Sequence, residues 1–130
     1  MNLKRLPVFV FFLMLFCCSS EKKYSDYDES EFYEVQGVIN TVNLTSDPFD
    51  SATRKNISFS YFIDREIPKI GIERDLEMFE AKKGYPLIVL VHKEDENISF
   101  YGRVGLLDSL NFKEKAFLSK HFQKEIDEIK

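Results

Sequence analysis

Histidine is the side chain best suited to proton transfer near neutral pH. The chain holds two, far apart: His92 closes the apolar run Leu87-Ile88-Val89-Leu90-Val91, and His121 lies near the C-terminus. Neither has a second donor at metal-ligand spacing, so no metal site is expected. His92 beside Glu94 is a candidate general base, weighed against the plainer reading of a partly buried strand-end histidine with one hydrogen bond. The acidic pairs Asp64 with Glu66 and Glu73 with Asp75 raise the question of glycoside hydrolysis, because residues two apart on a strand share a face. A chain without tryptophan offers little platform for sugars, and solvated strand edges are the better expectation. No serine stands in a Gly-x-Ser-x-Gly elbow, and the five glycines at 37, 71, 84, 102 and 105 are too dispersed to cradle phosphate. No catalytic residue, cofactor-binding residue or cofactor is therefore expected, and the chain is read as a non-enzyme.

The remaining reactive side chains, Cys17 and Cys18, sit at the N-terminus. Lys4 and Arg5 precede an apolar run from Leu6 to Cys18 that ends abruptly in Ser19-Ser20-Glu21-Lys22-Lys23. This is the order of a secretory signal. Its 13 residues fall short of the roughly 20 that a membrane-spanning helix requires. A retained anchor is the alternative, and an ordinary secretory signal with two incidental cysteines is another.

The end of the run, Leu15-Phe16-Cys17-Cys18, resembles a lipobox, the mark read by the lipoprotein-processing enzymes of bacteria. With the Phe-rich run and the Cys-Ser-Ser-Glu-Lys sequence after it, the segment is similar to lipoproteins of the Bacteroidetes. Phe16 and Cys17 are bulkier than the small residues such boxes usually carry. The resemblance implies cleavage before Cys18 and acyl chains, palmitate among them, on that residue, with Cys17 as the other candidate. It also implies a place in the cell envelope, at the outer membrane in the enteric sorting scheme because no Asp follows Cys18, with the leaflet open. Each buried methylene contributes about 0.8 kcal/mol, so more than one chain makes a stable anchor.

Cutting the signal, read as residues 1–18 with its closing Cys18 kept as the anchor, removes Lys4 and Arg5 and leaves 16 basic against 22 acidic residues, so the net charge moves from −4 to −6. Basic and acidic residues interleave, which argues against nucleic acid. Residues 19–31 contain no aliphatic side chain and are expected to be an acidic, flexible tether. A calcium loop from Asp26, Asp28, Glu29 and Glu31 lacks the fixed spacing and turn glycine.

Residues 32–130 are expected to form one α+β domain, a small curled antiparallel sheet of about five strands with a short helix and a C-terminal amphipathic helix packed on it. Phe32 to Leu44 reads as a long strand whose apolar parity changes after Gly37, so a bulge is placed at Gly37. Thr45 to Lys55 is a loop. Ile57, Phe59, Tyr61 and Ile63 alternate with polar residues, a half-buried strand. Lys69 to Glu73 is expected as a short strand with Ile70 and Ile72 inward, followed by a short helix capped by Asp75 that carries Leu76 and Phe79 and stops at Gly84 and Pro86. Leu87 to Val91 is a central strand, Lys93 to Asn97 a turn, and Ile98, Phe100, Gly102 and Val104 the returning partner. Asn111 and Glu114 form a capping box, and Leu118, Phe122, Ile126 and Ile129 line one face of the last helix.

The segments Tyr33-x-Val35-x-Gly37-Val38-Ile39-x-x-Val42, Ile57-x-Phe59-x-Tyr61 and Gly84-x-Pro86-Leu87-Ile88-Val89 together resemble small β modules of unknown function in membrane-attached bacterial proteins. That resemblance implies a compact antiparallel β domain and no catalytic residues. Members carry a Pro-containing turn where this chain has Lys93-Glu94-Asp95-Glu96-Asn97. Asp50-Ser51-Ala52 and Asp108-Ser109-Leu110 are similar to the O-glycosylation triplet of Bacteroidetes envelope proteins, and Asn43, Asn56 and Asn97 stand in N-glycosylation triplets taken as coincidence.

The expected role is that of an envelope lipoprotein, held by its acyl chains, that binds another envelope protein as an accessory subunit, inhibitor or immunity factor. The competing role is binding of a small ligand or cell-wall fragment in a cleft of Tyr61, Tyr85 and Tyr101. A small hydrolase is a third.

Overall fold

The computed structural model describes residues 22–49, 53–78 and 81–129. Five strands, β1 (Phe32–Leu44), β2 (Arg54–Tyr61), β3 (Lys69–Glu77), β4 (Pro86–His92) and β5 (Ser99–Val104), precede one helix, α1 (Phe112–Ile129). They form a single antiparallel sheet in the order β3-β2-β1-β4-β5. The first half of β1 pairs with β4, from Phe32 opposite His92 to Val38 opposite Pro86, and its second half pairs with β2. A 13-residue strand shared between two partners curls the sheet into a half-barrel.

Alternation assigns the faces. Gly37, Ile39, Ile57, Phe59, Tyr61, Leu87, Val89 and Val91 turn inward, and the apolar ones among them form one cluster with Met78 and Ala81, which plug it from the β3–β4 connection. The parity change in β1 has a different cause from the expected bulge at Gly37. Gly37 pairs regularly with both Tyr61 and Leu87, and a side chain there would come within 2.6 Å of the Ser60 carbonyl and 2.7 Å of Val89. The extra residue is Asn40, between the pairs Ile39–Phe59 and Thr41–Ser58, and it returns Val42 to the inner cluster. Val38 instead belongs to the outer face, where it packs with Ile63 and Leu118.

β3 departs from expectation twice. Ile70 and Ile72 point outward and are 60% and 63% exposed, while Gly71 and Glu73 face in. Gly71 lies beneath Phe59, whose ring a Cβ would meet at 2.5 Å, so only glycine lets the strand close over that ring. The short helix after Asp75 is absent among the described residues. The chain stays extended through Glu77, with Leu76 opposite Lys55, and Asp75 adopts φ 58° beside a register shift, its N–H bound by the Asn56 side chain at 3.0 Å. Phe79 lies outside the described residues.

The outer face is covered in two places. In the first, α1 seats Leu118 on Val38 and Ile63, with Phe117 and Leu110 against them. Its N-terminus is the expected capping box: the Asn111 N–H donates to Glu114 at 3.0 Å, and the Glu114 N–H to the Asn111 side chain at 2.8 Å. Phe122 is 40% exposed, and the side chains of Ile126 and Ile129 lie outside the described set. In the second, the stretch expected to be tether is, from Tyr24 on, folded back on the sheet. Two single-turn 3-10 helices, Tyr24–Asp26 and Glu29–Glu31, bring Tyr24 and Tyr27 against Phe32, Phe100 and His92 at ring separations of 5.1 to 6.0 Å. The aromatic rings supply there the apolar area that the missing aliphatics do not.

Candidate functional site

β1 runs antiparallel to β2 and β4, and these run antiparallel to β3 and β5, so the two edge strands β3 and β5 run parallel to each other across the barrel opening. A side chain bridges them: the Tyr101 N–H donates to the Glu73 carboxylate at 2.5 Å. Burial pushes the Glu73 carboxyl above its ordinary value, and the Tyr101 N–H partly offsets the rise. Ser99 closes in beside Gly71, at 2.8 Å from where a Cβ would stand. The site is a seam, in which one carboxylate occupies an edge amide that would otherwise face an unpaired neighbour.

Tyr61 lies at the lower end of this seam, 1% exposed, with its hydroxyl donating to the Glu96 carbonyl at 2.7 Å. Burial raises its pKa. Tyr85 and Tyr101 pack against the same inner cluster. Tyr61 thus belongs to the core, and Tyr85 and Tyr101, half-buried, lie against it.

The loops at that end are tied together. Arg65 grips Glu96 with two bonds of 2.8 and 2.9 Å and lies over the Phe62 ring at 3.8 Å, and Lys69 donates to Asn97 at 2.7 Å. The paired guanidinium holds Glu96 below the usual carboxylate range.

The other candidates separate. His92 is nearly buried between the Phe32 and Tyr27 rings and accepts the Glu94 N–H at Nδ1, 3.2 Å away, which is the strand-end arrangement. Its Nε2 faces Glu31 at 3.7 Å. His121 stacks on Phe117, far along the chain on α1. Glu73 faces the seam while Asp75 is exposed beside Asn56, and Asp64 accepts from the Asn111 amide at 3.1 Å while Glu66 is exposed. Asp26, Asp28 and Glu31, weighed as calcium ligands, instead accept the N–H groups of Lys23, Ser30 and Asp28. Among the described residues no group of three His, Cys, Asp or Glu is placed to hold a metal ion. Asp108 and Ser109 are exposed and Leu110 is half-buried under α1. Cys17, Cys18 and Asp50-Ser51-Ala52 lie outside the described residues.

What the sequence pattern missed is the open part of the outer face. Ile70 opposite Ser60 and Ile72 opposite Ser58 stand beside a polar row in which Asn40 donates to Ser60 and Thr41 bonds Ser58. Ile67, in the loop before β3, is 83% exposed. The missed signal was the pair Gly71 and Glu73, whose inward placement sends both isoleucines out. Compared with protein-family models, with curated proteins and with solved structures, the chain matches none of them.

Proposed function

We propose that this chain is an envelope lipoprotein, acylated at Cys18, whose barrel is a non-enzymatic module that binds another envelope protein, as an accessory subunit, inhibitor or immunity factor. The observation that carries the interaction half is the outer β2–β3 face, where Ile70 and Ile72 remain open to solvent on a strand whose neighbours are hydroxyl and amide side chains. Exposed aliphatic area rimmed by hydrogen-bonding groups suits a protein surface. The strand order, with its partly open β3–β5 closure, is also that of the OB fold, in which the β2–β3 face meets ligands. By that analogy of topology the same face is the working one, and its aliphatic rather than aromatic and basic character favours protein over nucleic acid. The helix α1 is read as amphipathic along its length, with Phe122, Ile126 and Ile129 continuing the stripe that Leu118 begins.

The test has two arms. Intact mass and membrane fractionation compare wild type with Cys18→Ala in a host that processes lipoproteins: the wild type should be acylated and membrane-bound, and the variant soluble or unprocessed. In parallel, recovery of partners from detergent-solubilised membranes compares wild type with Ile70→Glu/Ile72→Glu. A partner lost with the double variant supports the reading. No specific partner, or the same set with both proteins, overturns it.

A further inference from the structure

The N-terminal turns change the length of chain available as a tether. The Lys23 N–H donates to the Asp26 carboxylate at 2.8 Å and its carbonyl accepts the Asp26 N–H at 2.9 Å, so the chain is committed to the fold from Lys23. Tyr24 and Tyr27 sit on Phe32, and the Glu31 carbonyl accepts the Lys93 N–H at 2.8 Å. Between Cys18 and Lys23 the extended chain spans at most about 18 Å, whereas with both turns released the span from Cys18 to Phe32 reaches about 50 Å. The start of β1 also defines an end of the barrel. Residues 62–68 and 93–98 gather there, joined by the Tyr61, Arg65 and Lys69 contacts, while the β1–β2 and β3–β4 connections meet at the opposite end, where the Met78 N–H donates to Thr53.

We propose that the two turns are a strap that holds the 62–68 and 93–98 end of the barrel close against lipid headgroups and leaves the β2–β3 face standing sideways from the bilayer. The inference rests on reading Cys18 as the anchor. In residues 22–31, 62–69 and 93–98 nine acidic side chains outnumber five basic ones, so the surface this end fits is a zwitterionic one, and anionic headgroups repel it.

The chain has no tryptophan, so a single one reports its own position. Glu66→Trp places a donor at the strap end and Ser46→Trp one at the far end, both at exposed loop positions. The acylated protein is reconstituted in phosphatidylcholine vesicles that contain a dansyl-headgroup lipid as energy acceptor. Transfer from position 66 should exceed transfer from position 46 several-fold, and Tyr24→Ser/Tyr27→Ser should bring the two close together. Equal transfer from both positions with the strap intact overturns the proposal, whether or not the Tyr variant folds. Should intact mass show no acyl chain, the anchor reading fails, and a chain beginning at Cys18 is coupled through that thiol to maleimide-bearing lipid. The 66-against-46 comparison then decides the strap on its own.

Discussion

On its concave side the sheet closes over one continuous cluster from Ile39 to Val91, while on its convex side two separate seats do the sealing, Tyr24 and Tyr27 over Phe32 and Phe100, and Leu118 over Val38 and Ile63. Between those seats the outer face is polar: Glu34 pairs with Arg103 at 2.6 Å, and Gln36 is buried in a set of backbone hydrogen bonds. The inner face is held by strands each paired with its neighbour around one shared cluster, so losing one side chain weakens the whole. The outer seats are made by segments that enter from the two chain ends, so each can open while the sheet persists. The open β2–β3 face lies on this second, divisible side.

Phe59→Ala should test the continuity of the inner cluster most severely. Phe59 is fully buried and lies over Gly71, so its removal should lower unfolding free energy by about 3–5 kcal/mol in urea titration. The loss should appear at every amide of β1 to β5 by hydrogen exchange. Leu118→Ala should cost less, about 2–4 kcal/mol, and should be divisible: amides of α1 exchange faster while those of β4 keep their protection. A uniform loss across the sheet would show that the helix seat and the core are one unit. Gln36→Leu, between the two, removes an amide that donates toward the Gly37, Leu87 and Gly105 carbonyls and accepts the Leu107 N–H at 2.9 Å. Leaving those groups unpaired should cost about 1–3 kcal/mol and loosen the segment that leads from β5 to α1.

How much of this could be read from the residues follows from which face a strand buries. β2 was legible because Ile57, Phe59 and Tyr61 are inward and Ser58 and Ser60 outward, and the capping box at Asn111 and Glu114 was legible because it is local. β3 was not, since its inward positions hold a glycine with no side chain and a carboxylate that satisfies an edge amide, and the hydrophobic pattern there reports the wrong face. β1 misled by being covered on both sides, which mimics a bulge at Gly37 when the inserted residue is Asn40. The candidate site was the least legible part. Its exposed isoleucines are informative only once the register shows that Gly71 and Glu73 take the inner face.

Glu73→Gln offers the finest discrimination, because it keeps an acceptor for the Tyr101 N–H and removes only the charge. Burial raises the Glu73 carboxyl above 4.5 in the folded state, so the folded protein binds the proton more tightly than the unfolded chain. Its contribution is therefore fully present below pH 4.5 and is lost as the pH rises through the raised value. Asp28 and Glu96 act with the opposite sign, since their lowered values withdraw stability as the pH falls, and a wild-type profile alone mixes the three. The difference between wild type and Glu73→Gln isolates the seam: above the raised value the variant should match or slightly exceed wild type, and below pH 4.5 it should lose that advantage. A variant less stable than wild type above the raised value and equal to it below pH 4.5 would show instead that the charge itself strengthens the bond to Tyr101 and clasps β3 to β5, which would make the seam part of the continuous inner side rather than a weak edge in it.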